Sequence, residues 1–550
     1  MQHVVPGESQ FSPFPKQLLF PFGQFDLSSL VTGLAPFKSS LVAVTGISTG
    51  DEGKGRTIPD AARILRGMTG RRDIVGLVFK VNGGANSGHT ADGLKLNLLP
   101  AGVGDPDVQT LGVGRGVVAD PLKFLWEGIP LEEAGYQVFR RLIIDQRTML
   151  SDITHRVLDK VQEAQRDVPR GSTGRGISPA FGDEVLQYVI HYGDLAGDFD
   201  TFSRKMTERI RRAERLAASC DRISPADWRG FFESLSNAEV KANADSIARG
   251  IYTPTTFDLT EFCGAKPFTF NAAAIVDAYW AAGQRLRFNL GSLSQRVFEC
   301  QEAGQFVFGE FGQAYWLDKR HGFSPNVTAS HTYVPEFFQS AEIPVQPIHN
   351  IGVCKAYDTK VGTHVFLTEI GEEHPLGTAL RRIEFGTTTG RQRMVGWFDA
   401  VEKGHVLRHG GFDEMVINKI DVLTQTPELS SSWDGALKIC SAYRLPTGEV
   451  SRVMPVDDGI RRASSAVYTI CPGWSEDISQ VRSFWSLPLN AQRYVATAYA
   501  ATVVAAYGEE RWVTRDLPRL RLVGVGPESS QVILDAPRPD QLMVMAGTLQ

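Results

Sequence analysis

Short apolar, β-branched runs recur along the chain, each closing on glycine or polar residues. They are LVAVTGI (41–47), IVGLVFKV (74–81), QFVFGEFGQ (305–313), EMVINKIDVL (414–423) and RLRLVGVGP (519–527). Continuous apolar runs of this length predict strands buried on both faces. Between them, DITHRVLDKVQEAQR (152–166) and FSRKMTERIRRAERLAASC (202–220) place apolar residues at helical spacing. Strands alternating with helices predict an α/β fold with a mainly parallel central sheet and helical insertions. No internal repeat and no interdomain linker interrupts the pattern. The expected organisation is an N-terminal arm over residues 1–40, one large domain over 41–533 with an enlarged helical region at 190–300, and a C-terminal tail over 534–550.

In parallel sheets ligands bind beyond the carboxyl ends of strands, so the segments that follow the runs carry the chemistry. The first, TGISTGDEGKGRTIPD (45–60), holds four glycines and three acidic residues in sixteen positions. Gly50 to Thr57 fits a phosphate loop except that Arg56 stands where lysine is required. Asp51 and Glu52 within the turn would repel a triphosphate unless a cation or proton intervenes. Further polar, glycine-rich stretches follow: NGGANSGHT (82–90), GSTGRGISPAFGDE (171–184), FGTTTGRQRMVGWFD (385–399) and NKID (418–421). Singly, each has a plain reading as a tight turn or a solvated face. The Asp of an NKxD segment has meaning only beside a phosphate site, where it can accept from N1–H and the 2-amino group of guanine. Arg391 and Arg393 suit planar recognition of carboxylate or phosphate. Five such loops together point to polyanionic nucleotides.

Composition narrows the class. With 550 residues, 42% hydrophobic and 22% charged, the chain reads as a large globular protein. A formal net charge of −5 gives no electrostatic case for nucleic acid as a partner. Six cysteines without a CxxC pair argue against a zinc site or a disulfide framework and suit a reducing compartment. No run of transmembrane length and no basic targeting segment is present, so a membrane partner is not expected and the cytoplasm is the default.

In sequence order, Gly50–Arg56, Gly83–Thr90, Ser172–Phe181, Gly312–Ala314, Gly386–Arg393, Asn418–Asp421 and Pro472–Trp474 resemble the GDEGKGK, GGxNAGHT, TTGRGIGPAY, GAQG, GATTGR-R, TKLD and PGW segments of adenylosuccinate synthetases. The resemblance runs from about residue 41 to about 533. It implies a single large P-loop-like α/β domain and a ligase that joins L-aspartate to C6 of IMP with GTP and Mg²⁺, as a cytoplasmic homodimer in purine biosynthesis. By that resemblance Gly50–Arg56 is a catalytic turn that also contacts phosphate. Asp51 is the base at N1 of IMP, an aid worth roughly 10²–10⁴-fold, and holds Mg²⁺ with the carbonyl of Gly88. Lys54 and His89 face the γ-phosphoryl group, and Gln313 contacts the 6-oxygen region. Asn86, Thr173, Thr328 and Arg391 join Asp51 and Gln313 around IMP. Thr387, Thr388, Thr389, Arg391 and Arg393 read aspartate. GTP falls to Gly50, Glu52, Gly53, Lys54, Gly55, Arg56, His89, Arg393, Lys419, Asp421, Gly524 and Gly526.

The chain also departs from the family pattern. An arginine that reaches the partner subunit's IMP phosphate in the family falls near Gln187 here. Gln392 and Met394 thin the arginine cluster, GAQG has become FGQA, and a family serine is Gly524. One alternative is therefore a relative acting on (d)GMP to give 2-amino products, against which the retained Asp51 counts. A second is a catalytically silent guanine-nucleotide sensor, against which the joint retention of Asp51, Lys54, His89, Gln313 and Arg391 counts. A Walker-type GTPase is disfavoured by Arg56.

Overall fold

Each of the five apolar runs becomes a strand of one eleven-stranded sheet. The computed structural model describes residues 37–361, 363–385, 392–508 and 516–547. In chain order the sheet strands are β1 (Leu41–Gly46), β2 (Val75–Gly84), β3 (Thr110–Ala119), β4 (Leu142–Asp145), β5 (Met149–Leu150), β6 (Leu290–Gly291), β7 (Phe306–Glu310), β8 (His349–Lys355), β9 (Glu414–Asn418), β10 (Arg519–Gly524) and β11 (Val532–Ile533). Their order in space is β11-β10-β9-β8-β1-β7-β2-β3-β4-β6, with β5 beside β3. Every pairing is parallel except β10 with β11.

The central strands are buried on both faces because helices cover both. Val42 and Val44 of β1 pack with Ile58, Ala62 and Leu65 of helix α1 (Lys54–Thr69). Leu41 and Ala43, pointing the other way, pack with Phe79 and Phe337. A strand with two apolar surroundings needs no polar alternation, which is why these runs are continuous.

The expected helices form, with short side chains capping their first turns. Helix α2 (Ile153–Ala164) starts at Asp152, whose carboxylate accepts from Thr154 N at 2.8 Å. Helix α3 (Ile177–Val185) follows, and α4 (Phe199–Ala218) starts at Asp198, which accepts from Thr201 N at 2.8 Å. Helix α5 (Asp227–Ala242) packs on α2.

Three strand readings run too far by three residues or more. The strand expected over 414–423 stops at Asn418, that over 305–313 at Glu310 and that over 519–527 at Gly524. The backbone turns into the left-handed region at Lys419 (φ 61°), directly after Asn418, and a ladder cannot continue through it. Of the arm, residues 37–40 are described: Phe37 is buried against Phe306, Phe308 and the ring of His349. The C-terminal segment ends in a further helix, Pro539–Gly547, packed on Leu489–Tyr507 through buried Leu542. All six cysteines are free thiols. Among the described residues no helix is long and apolar enough to cross a membrane.

Candidate active site

Strands β9, β8, β1, β7 and β2 lie side by side and parallel, so their carboxyl ends open on one edge of the sheet. The glycine turn follows β1. Asp51 sits at φ 62°, and Gly53, at φ 84°, is the N-cap of α1 with no side-chain cap. A Cβ at Gly53 would stand 2.8 Å from Asn418 Nδ2, which donates to the Glu52 carbonyl at 2.8 Å. The NKID segment is thus fastened to the turn, and only glycine fits between them. Glu52 is fully buried with its carboxylate turned inward, accepting from Gly50 N at 2.7 Å and Lys54 Nζ at 2.6 Å. That carboxylate braces the turn, and Glu52 is also one of the residues lining the cavity described next.

A cavity of about 540 Å³ lies over this edge. Its wall brings together Gly50, Asp51, Gly53, Lys54 and Gly55 of the turn with Asn86, Gly88 and His89 after β2. Thr173, Gln313, Thr328, Arg393 and Lys419 complete the set. Four expected residues lie off the wall. Arg56 binds the Gly526 carbonyl and, at 2.8 Å, the Gln531 carbonyl, and pairs with Asp60 at 3.2 Å. It staples α1 to the segment after β10, which is why arginine serves where a phosphate-loop lysine was sought. Asp421 opens a short helical turn, and Gly524 accepts from Ile420 N at 3.2 Å beside it. Gly526 is the residue Arg56 holds. Thr387, Thr388, Thr389 and Arg391 lie outside the described residues.

Of eight non-glycine residues with positive φ among the described ones, three are Asp51, Gln313 and Lys419. Such conformations persist where surrounding structure over-determines them, and they gather at sites of function.

Several buried groups in and behind the wall were missed. Lys80 pairs with Glu310 at 2.7 Å and approaches His89 Nδ1 at 3.2 Å. His89 Nδ1 lies equally close to the Ser87 carbonyl, at 3.2 Å, while Nε2 lies 3.4 Å from Glu310, so the ring stands between one donor and two acceptors. Burial, together with Lys80 and Lys54 and against Glu310, pushes the His89 pKa down to about 4. His89 is therefore neutral at pH 7 and can donate without carrying charge. Its ring resonances in the ligand-free protein are expected not to titrate between pH 5.5 and 8 by NMR; a midpoint near 6.5 would contradict this environment.

Glu384 accepts from Lys419 at 2.6 Å, from Tyr357 and from Lys355 at 3.2 Å. Against the upward push of burial, the two lysines hold its carboxyl well below the usual range. Charged residues inside apolar runs, such as Lys80 in IVGLVFKV and Glu310 in QFVFGE, were the available signal for such pairs.

The loop around Thr173 is braced from below. Ser172 Oγ donates to Asp159 at 2.6 Å, and Gly176 N does so at 3.1 Å. Arg175 reaches down to Glu239 of α5, which also takes Lys123 at 2.8 Å and Arg156 at 2.7 Å.

Asp51 pairs with Arg393 at 3.3 Å and keeps 26% of its side chain exposed. No group of three or more His, Cys, Asp or Glu among the described residues could hold a metal by itself. One exposed carboxylate is nevertheless the donor set that suits Mg²⁺, which takes one or two carboxylates and fills its sphere with phosphate oxygens and water.

The sequence model of the adenylosuccinate synthetase family matches residues 43–252 and 255–507. The chain belongs to the adenylosuccinate synthetase family. The adenylosuccinate synthetase of Desulfitobacterium hafniense (strain DSM 10664 / DCB-2) is 31% identical over 501 residues, covering 90% of this chain and 98% of that protein. That of Staphylococcus epidermidis (strain ATCC 35984) is 32% identical over 464 residues, 83% and 93% of the two chains. The fully ligated adenylosuccinate synthetase from Plasmodium falciparum shares the fold with a TM-score of 0.71 at 25% identity, covering 90% of this chain and 100% of that one. Membership makes the chain a GTP-dependent ligase of IMP and L-aspartate in purine biosynthesis, and the (d)GMP and silent-sensor alternatives are not favoured.

Proposed function

We propose that the residues of the cavity wall carry out the family reaction in the roles their motifs imply. The observation that carries the reading is a set of buried polar atoms without a hydrogen-bond partner. Among the described residues they are Asn86 Oδ1, His89 Nε2, Gln313 Oε1, Thr328 Oγ1, His364 Nδ1 and Arg393 Nε, all on residues of that wall. Buried polar atoms are satisfied in native proteins. Six orphans around one cavity therefore describe a polar ligand by its complement.

Asp51 takes the proton from N1 of IMP, which makes the 6-oxygen nucleophilic. That oxygen attacks the γ-phosphorus of GTP and GDP leaves. Lys54 and His89 Nε2 stabilise the oxygens of the transferring group. The amine of aspartate then attacks C6 and loses a proton as the C6–O bond breaks, and the departing phosphate takes a hydrogen bond from the neutral His89 ring. Gln313 holds the 6-oxygen region; Asn86, Thr173 and Thr328 hold the IMP phosphate. Lys419 and Asp421 read guanine, and Arg393, exchanging Asp51 for substrate, joins Thr387, Thr388, Thr389 and Arg391 at aspartate. Mg²⁺, held by Asp51 and the Gly88 carbonyl, would neutralise phosphate charge. We place the enzyme in the cytoplasm as a homodimer, on the strength of the family alone.

The test is a product assay. The protein is incubated with GTP, Mg²⁺ and aspartate, adding IMP, dIMP, GMP or dGMP singly, with mass identification of products. An aspartyl adduct with IMP is expected, with little GTP hydrolysis when the purine is omitted. An adduct with dGMP alone, or GTP binding with no adduct at all, would overturn the proposal.

A further inference from the structure

Four described cationic side chains stand in the cavity wall: Lys54, Arg170, Arg393 and Lys419. Three are closed on a carboxylate, Lys54 on Glu52 at 2.6 Å, Lys419 on Glu384 at 2.6 Å and Arg393 on Asp51 at 3.3 Å. Arg170 is held differently. Its nearest carboxylate oxygens, on Asp159 and Glu163, are both at 3.7 Å, beyond hydrogen-bond range. Both acids also serve the loop backbone, Asp159 through Gly176 N and Glu163 through Ser172 N. Among the described residues the guanidinium makes one hydrogen bond, from Nη2 to Ser178 Oγ at 2.9 Å. A guanidinium has five N–H donors in a planar fork, so most of this one's capacity is left for a ligand. It stands in the wall with three hydroxyl groups, Ser172, Thr173 and Ser178. A cation, three hydroxyls and a glycine-rich backbone form a receptor for a phosphate dianion.

We infer that Arg170 binds the 5′-phosphate of the purine nucleotide within its own subunit. The inference rests on the proposed IMP site and deepens it. Thr173 alone offers the phosphate a hydroxyl and no charge, whereas Arg170, three residues earlier in the same loop, supplies the counter-charge. Gln187, which stands where the family pattern places a cross-subunit arginine, is exposed and off the wall of this cavity. Charge lost at the end of α3 is thus restored from the beginning of the loop before it. Phosphate recognition then needs no side chain from a neighbouring subunit.

The experiment compares IMP with inosine, the same ligand without its phosphate, by calorimetric binding to the full chain. The readout is the ratio of their dissociation constants. Arg170→Met is expected to weaken IMP by about 10- to 100-fold, the loss of a charge-assisted contact, and to leave inosine unchanged, so the ratio collapses. Arg170→Lys, which keeps charge without the fork, is expected to lose several-fold less and provides the measurement if the methionine variant folds poorly. Gln187→Ala is expected to keep the wild-type ratio. Equal weakening of both ligands in the Arg170 variants would mean a merely structural role and would overturn the inference. An unchanged ratio in those variants, or a collapse in Gln187→Ala, would overturn it as well. A wild-type protein that binds IMP no better than inosine, or forms no aspartyl adduct, would remove the underlying site reading too, and is distinguished because no variant is needed to see it.

Discussion

Asp51→Asn is expected to lower kcat for adduct formation by about 10³-fold or more, while thermal unfolding stays within a few degrees of wild type. The choice of asparagine follows from the backbone. Asp51 holds φ 62°, a conformation asparagine adopts more readily than other non-glycine residues, so the turn survives. What is lost is the proposed base at N1, worth roughly 10²–10⁴-fold. The Arg393 partner is lost with it, at 3.3 Å. Asp51→Ala would add the cost of a left-handed alanine, so the difference between the two variants isolates backbone from charge. A kcat within tenfold of wild type for Asp51→Asn would show that another group removes the proton.

The largest stability effect is expected at Glu239. Its carboxylate is fully buried and receives Lys123, Arg156 and Arg175. Burial opposes its ionisation, yet the three cations hold its pKa well below the usual carboxylate range. Removing one member of a buried ionic set, so that its partners stay charged, costs about 3–5 kcal/mol. Glu239→Leu is therefore expected to lower the unfolding midpoint in urea sharply, with loss of IMP affinity because Arg175 belongs to the loop of Thr173. The sign with pH follows. A depressed folded-state pKa contributes stability above the unfolded value near 4.3, and that stability is lost as pH falls through the folded value. The wild-type and Glu239→Leu proteins should thus converge in stability in strong acid. A variant within 1 kcal/mol of wild type at pH 7 would contradict the arrangement.

What was legible in the sequence was local. β1 and β2 follow from continuous apolar runs, and the turn at Gly50–Gly55 and the loop at Asn86–His89 follow from glycine beside polar residues. The fastening of those loops was not legible, because it is made by partners far apart in the chain. Asn418 reaches Glu52 across 366 residues, and Lys80 meets Glu310 across 230. A lone charge in a strand signals that a partner exists and says nothing about which one. Glu52 shows a second kind of hidden contact: its carboxylate holds Gly50 N and Lys54 within its own turn, which the motif alone does not reveal. Arg170 was passed over because an arginine after proline before a glycine loop reads as a surface turn until the wall of the cavity is assembled. The loop at 386–391, legible as TTTGR, lies outside the described residues.

The order of strands has a consequence for biosynthesis of the chain itself. The site edge is built from β1 at residue 41 through β9 at residue 418, and β10, at residues 519–524, supports β9 and brings Gly524 against Asn418. Parallel neighbours so distant in sequence cannot pair while the intervening chain is still on the ribosome. Contacts of such separation are formed late and slowly. Residue 524 must therefore be synthesised before the part of the cavity beside β9 is supported, and any nascent chain released short of it leaves β9 with an open edge ready to pair with another chain.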